Sequence, residues 1–247
     1  MTLATEPRAY GRRPGRYRLP TDIGTMSLQD AILLGGREPP QKKQLELLRS
    51  PGTADVSVYY AGDIDLLRRP GVAIVGAREV SADGRSRAYK LARELAAADV
   101  LVVSGLAKGV DAAAHRGAIE NGGRTMAVIG TPLSKAYPAE NAELQEEIYE
   151  NHLLVSPFAS GEAVFKGNFP KRNRVMALLS DATVIVEASD TSGSLHQAAE
   201  CLRSNRWLFI MRSVATDPRL TWPAKFLGNP RVAVLANTQE ILDTIAG

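Results

Sequence analysis

The residues best suited to chemistry lie in one short run, Lys166-Gly-Asn-Phe-Pro-Lys-Arg-Asn-Arg174. Four cationic side chains, Lys166, Lys171, Arg172 and Arg174, fall within nine residues with no acidic residue between them, and Phe169 and Asn173 sit among them. Fixed cations attract phosphates and release their counterions, and a flat apolar ring gives a base a face to stack on. The run therefore suits a single-stranded nucleic acid. A solvated loop leading into a helix would have the same composition, so its place in the fold must decide. A second set of candidates is a series of glycine- and hydroxyl-rich turns: Gly76-Ala-Arg78, Ser104-Gly-Leu-Ala-Lys-Gly109, Gly130-Thr131 and Ser192-Gly-Ser194. Glycine allows backbone to approach an anion closely, and amides at a helix start point toward it. Arg78 and Lys108 add charge to the same turns.

Catalytic arrangements are thin. No G-x-S-x-G elbow supports Ser104 or Ser194 as a nucleophile. Asp111 and His115 are four apart, neighbours on one helix face, and suit packing or capping better than acid–base work. Glu187, at a strand end, suits ordering of the loop that follows better than holding a ribose hydroxyl. His115, His152 and His196 have no metal-ligand spacing. Neither a G-x-G-x-x-G after a strand nor a G-x-x-x-x-G-K-[ST] is present, so the chain shows neither the dinucleotide nor the P-loop signature. No catalytic residue, metal or cofactor is assigned.

The elements that must position these residues follow from hydrophobic rhythm. From Val56 onward, short apolar runs alternate with amphipathic segments. The runs 72–75, 100–103, 125–129, 153–155, 183–186, 207–210 and 232–235 read as strands buried on both faces. Between them, Ala88, Leu91, Ala92 and Leu95 mark one helix face, and helices are expected over 110–120, 140–149, 171–179, 194–203 and 238–245. This alternation predicts an α/β fold: a Rossmann-like doubly wound, mostly parallel sheet with helices on both faces. In such sheets ligands bind beyond the carboxyl ends of the strands, where these turns fall.

Residues 56–247 form that domain. Residues 1–26, with five arginines against one glutamate in the first twenty positions, read as a flexible basic arm. Residues 27–55 read as a short helical extension broken at Gly35-Gly36 and Pro39-Pro40. With 247 residues, 45% of them apolar, the chain can bury a full core; a net charge of +3 and a pI near 9.0 permit a nucleic-acid partner without requiring one. A lone cysteine, Cys201, excludes an internal disulfide framework, suits a small buried hydrophobe and fits a reducing compartment. No stretch is long and apolar enough to span a membrane and the N-terminus lacks a signal-peptide core, so a cytoplasmic location is expected.

Together the motifs resemble one family. Val72-Ala-Ile-Val-Gly-Ala-Arg78, Ser104-Gly-Leu-Ala-Lys-Gly-Val-Asp111 with Ala114-His115, Asn168-Phe-Pro-Lys-Arg-Asn-Arg174, Val186-Glu-Ala188 and Ser192-Gly-Ser194 occur in order, across roughly residues 56–212. The series resembles the DprA/Smf family of bacterial DNA-processing proteins, within the wider SLOG group of Rossmann-like domains. The resemblance implies binding of single-stranded DNA in a basic pocket, a homodimer, protection of strands and their delivery to a RecA-type recombinase, with no reaction catalysed. Carried over, Arg78, Lys166, Phe169, Arg172 and Arg174 become DNA contacts, and the turns at Gly76, Gly105 and Ser192 to Ser194 receive phosphates. Lys108, Lys171 and Asn173 complete the candidate DNA contacts, and Ser104, Gly130 and Gly193 the candidate phosphate turns. The chain departs from the family pattern in carrying no winged helix and in the segment Arg212-Ser-Val-Ala-Thr-Asp-Pro218, which puts dimer geometry and recombinase loading in doubt and leaves open a role in defence against foreign DNA. Two other readings stay open. One is a SLOG-type nucleotide sensor. The other is a nucleotide-hydrolysing enzyme, for which the P-G-G-x-G-T-x-x-E motif is replaced by Asp190-Thr-Ser-Gly-Ser-Leu-His196.

Overall fold

A computed structural model of the chain describes residues 17–40, 48 and 56–246. Among these residues, nine strands make one sheet in the order β1-β2-β6-β5-β4-β3-β7-β8-β9. The strands are β1 (Gly24–Ser27), β2 (Ser57–Gly62), β3 (Gly71–Val75), β4 (Leu101–Ser104), β5 (Thr125–Val128), β6 (Leu153–Ser156), β7 (Ala182–Ile185), β8 (Trp207–Met211) and β9 (Val232–Leu235). All pairings from β6 across to β9 are parallel, with Val72 opposite Val102 on one side and Ala182 on the other. β1 and β2 run antiparallel at one edge. The fold is the expected Rossmann-like, doubly wound one.

The central strands are buried on both faces, and their side chains alternate between two cores. Val72 and Ile74 of β3 point to the side covered by α2 (Ala82–Ala97), α3 (Val110–Ile119) and, at the C-terminus, α8 (Gln239–Ile245). Ala73 and Val75 point to the side covered by α1 (Leu28–Leu34), α5 (Asn168–Leu178) and α6 (Ser194–Arg203). A smaller cluster under α4 (Ala142–Asn151) joins Ala127 and Leu154 to the first side. Period-two alternation in strands and an apolar stripe on each helix explain why so regular a chain forms two packed layers around one sheet. Each fully buried Val, Leu or Ile contributes about 1.5–3 kcal/mol.

Three local features differ from the sequence reading. Residues 17–26 are not a free arm: Gly24–Ser27 pairs with β2, and Arg18 bonds Glu146 and Glu150 of α4; the rest of the arm, 1–16, lies outside the described residues, as do most of residues 41–55. The 27–55 extension supplies α1, whose Ser27 caps the Asp30 amide, but its entry strand β1 belongs to the main sheet. α5 begins at Asn168 rather than Lys171, because Pro170 falls in its first turn, where no amide is needed.

Two buried histidines give the fold a pH dependence. His115 Nδ1 lies 2.7 Å from Thr125 Oγ1, whose own hydroxyl donates to the Val102 carbonyl, so the ring donates to the threonine. Burial, with the neighbouring His152, Arg172 and Arg116, pushes His115 down to about 3; burial and Arg124 push His152 down to about 4. Both folded values lie below that of the unfolded chain, so protons bind preferentially to the unfolded state. Stability is full above about pH 6.5 and falls as pH drops through the window down to about 4, by about 1.4 kcal/mol per pH unit per histidine. Urea denaturation between pH 7.5 and 4.5 should show this slope, and His152→Gln should flatten it by about one proton; identical slopes for both proteins would refute the assignment.

Candidate functional site

A cleft of about 860 Å³ opens at the carboxyl ends of β3 and β7. β3 is followed outward by β4 on one side and by β7 on the other, so this is the point where the strand order reverses. Beyond the sheet, the Ala77 amide donates to the Glu187 carbonyl at 2.7 Å, tying the two strand ends together. The start of α3 passes close beneath: Gly109 has φ +78°, and a Cβ there would lie 2.4 Å from the Ala77 and Arg78 carbonyl oxygens. A side chain at 109 would therefore displace the turn that presents Arg78.

Arg78 is exposed, and its guanidinium lies 5.8 Å from the centre of the Phe169 ring. Tyr137, from the loop after β5, packs on the same ring with centroids 5.7 Å apart. Gly130 backs the ring so closely that a Cβ there would meet it at 2.8 Å. Phe169 is thus a half-buried aromatic plate fixed by a cation, a second ring and a glycine.

Beneath the plate lies a buried charge pair. Arg172 runs from α5 across Gly105, where an added Cβ would collide with its guanidinium, and donates to the Val128 carbonyl at 2.8 Å. Asp111 accepts from the Gly105 and Ala107 amides at 3.1 and 3.3 Å. Burial pushes the Asp111 carboxyl up and the nearby Arg172 guanidinium opposes that shift, while burial lowers Arg172. Asp111 thus holds the turn after β4 and Arg172 the end of β5, side by side under the cleft.

Of the candidate residues, the structure brings Gly76, Arg78, Phe169, Arg172, Asn173, Ser192, Gly193 and Ser194 to the cleft lining. Others are placed elsewhere. The Lys108 amine pairs with Glu140, and the Lys171 amine sits 5.3 Å over the Phe158 ring. Arg174 forks onto Glu200 at 2.9 and 3.1 Å. Lys166 is exposed just before α5, outside the cleft. Ser104 is fully buried and donates to the Ile74 carbonyl at 2.6 Å, a core role. Gly105 spends its amide on Asp111, and Gly130 makes room for Phe169. Ser192 and Ser194 bond each other at 2.7 Å, and the Leu195 and His196 amides close on the same turn, so few donors there face outward.

Several contributors carry no sequence signal. Tyr137 is one aromatic in a polar loop. Glu187 orders the loop after β3 instead of its own, accepting from the Ser81 amide and hydroxyl at 2.8 and 2.5 Å. Asp217 and Arg219 reach the cleft from the loop after β8. Cys201 is buried, and burial raises its thiol to about 12, so it stays protonated and apolar in role. Among the described residues no group of three or more His, Cys, Asp or Glu side chains is arranged to hold a metal ion, and no helix is long and apolar enough to cross a membrane.

Fold and cleft together define a Rossmann-like α/β protein with a cleft at its topological switch point, lined by two exposed arginines, Arg78 and Arg219, and an aromatic plate. The chain belongs to the DNA recombination-mediator protein A family, whose model matches residues 39–246. It is 42% identical over 164 residues to the DNA processing protein DprA of Streptococcus pneumoniae, covering 66% of this chain and 58% of that one, and 39% identical over 158 residues to the protein Smf of Synechocystis, covering 62% and 40%. The chain therefore spans about half the length of the curated relatives it matches. Among solved structures, the S. pneumoniae DprA superposes with a TM-score of 0.73 at 33% identity, over 90% of this chain and 74% of that one. A DNA processing protein A from Helicobacter pylori, solved for its single-stranded DNA binding mode, superposes at 0.71 with 27% identity, over 91% and 95%. A molybdenum cofactor binding protein from Rippkaea orientalis, 17% identical with a TM-score of 0.52 over 72% of this chain and 96% of that one, shares the fold.

Proposed function

We propose that this protein binds single-stranded DNA in the cleft, stacking a base on Phe169 and holding the adjoining backbone with Arg78. The observation that carries the reading is the fixed plate itself, with Arg78 lying over Phe169 and Tyr137 packed against it. Duplex bases are already stacked and have no free face to offer such a plate; an unpaired base has one. Lys166, exposed at the head of α5, lies where the strand would leave the cleft. The likeness to the H. pylori protein supports the same ligand. Arg172 acts from below, bonded to the Val128 carbonyl, and Asn173 lines the cleft beside the plate. The cleft works by binding, and no reaction is assigned to it. The family's description as a recombination mediator extends the proposal to protecting the strand and handing it to a RecA-type recombinase, by a homodimer in the cytoplasm.

Fluorescence anisotropy with a labelled single-stranded oligonucleotide tests the central claim. Phosphate contacts by Arg78 and Lys166 predict an affinity falling with salt at a log–log slope of about −1.4. Duplex and mononucleotide should compete poorly. Full competition by a mononucleotide would instead favour a nucleotide sensor or enzyme, and no binding at low salt would end the proposal.

A further inference from the structure

The wall of the cleft opposite Arg78 is built by a loop whose sequence departs from the family pattern. It follows α7 (Arg212–Ala215) and runs to Trp222. Its hold on the domain is unusually full for a surface loop. Asp190, just past β7, accepts from the Thr221 amide at 3.0 Å, the Thr221 hydroxyl at 3.0 Å and the Trp222 amide at 2.7 Å. Trp222 is fully buried and donates its indole N–H to the Ala188 carbonyl at 3.0 Å. Within the loop, the Asp217 amide closes on Val214 and the Leu220 amide on Asp217. The loop is thus pinned to the strand end that forms the cleft, at two successive residues.

What the pinned loop presents is Arg219. Its side chain is 85% exposed, while the Asp217 carboxylate beside it is 17% exposed. Arg219 donates Nε to Asp217 at 2.9 Å and Nη2 at 2.7 Å. One edge of the guanidinium fork is therefore committed, which fixes the plane of the group, and the remaining N–H donors face solvent at the cleft. A purely local ion pair on a loop contributes little to stability, and the anchors that hold this loop do not include Arg219. The Arg219 amide also donates to Asp217 at 3.0 Å, so the backbone of residue 219 helps close the turn while its side chain stays exposed at the cleft.

We propose that Arg219 is a second phosphodiester-binding residue, placed by the Asp190-clamped loop so that a strand leaving the Phe169 plate continues along Ser192 and Gly193 to the opposite wall. Asp217 sets its orientation and, as a neighbouring anion, moderates its hold on phosphate. The Arg219 guanidinium keeps the Asp217 carboxyl down at about 2, so this moderating charge is present throughout the neutral range. This inference rests on the single-stranded DNA reading above.

The test uses the full chain with a single-stranded oligonucleotide long enough to cross the cleft, titrated at several salt concentrations. Arg219→Ala should weaken binding on the order of fivefold at low salt and reduce the salt slope by about 0.7, the loss of one phosphate contact. Asp217→Asn, which keeps the side chain's size and removes its charge, should tighten binding by about twofold or more. Asp190→Ala, which releases the loop, should reproduce the loss seen with Arg219→Ala while the thermal midpoint reports whether the fold survives. Wild-type protein that binds while Arg219→Ala and Asp217→Asn keep its affinity and slope would overturn the assignment of Arg219 alone. Wild-type protein that fails to bind would overturn the parent reading and this one with it.

Discussion

Phe169→Ala should weaken binding of a single-stranded oligonucleotide by about 1–3 kcal/mol, the range for removing one base-stacking ring. The loss should appear in affinity while the salt slope stays near that of the wild type, because the change removes a stacking face and no charge. The ring's surroundings sharpen the expectation. Arg78 and Tyr137 hold it in the cleft, and Gly130 leaves it room behind. Gly130→Val should therefore produce a loss of similar size without altering Phe169, since its side chain would occupy the ring's place. Phe169→Leu should fall between, keeping apolar area and losing the flat face. Arg78→Ala makes the complementary control: it should lower both affinity and slope. Anisotropy titrations of the four variants, with thermal melts to confirm folding, separate these effects. An affinity for Phe169→Ala within twofold of wild type would remove the stacking plate from the account.

The strands of this fold were legible because burial on both faces leaves an unbroken apolar signature. Val72–Val75 and Val100–Val103 need no tertiary information to be read as central parallel strands. β1 was not legible, since Gly-Thr-Met-Ser has no apolar run and becomes a strand only through its partner β2. The basic run shows where reading by composition stops. Once α5 is known to start at Asn168, Phe169, Arg172, Asn173 and Met176 fall at i, i+3, i+4 and i+7 and share the face that lines the cleft. Lys171 and Arg174 fall off that face and find Phe158 and Glu200 instead. The four cations are neighbours in sequence and separate in space, because the helix sorts them. Tyr137 and Arg219 come from loops, where neither period nor propensity marks a side chain for the site. Only the closure of the fold brings them to it.

The buried pair under the cleft carries the largest expected effect on stability. Asp111→Ala should destabilise the protein by about 3–5 kcal/mol, the cost of leaving a buried charge without its partner. One further loss points the same way: the Gly105 and Ala107 amides lose their acceptor. Arg172→Ala should also be costly, since it empties the space over Gly105 and removes the bond to the Val128 carbonyl. The pair need not be worth its desolvation, however. Replacing both members, as Asp111→Asn with Arg172→Met, removes the charges while keeping volume and an acceptor for the amides. The double variant should therefore lie closer to wild type than the sum of its single changes, with a coupling of about 0.5–1 kcal/mol from the electrostatic interaction of the two buried groups. Urea denaturation of Asp111→Asn, Arg172→Met and the double variant gives that coupling directly. Additive losses would mean that Asp111 serves the amides alone and that Arg172 is held by packing, and the charge pair would then have no part in shaping the cleft.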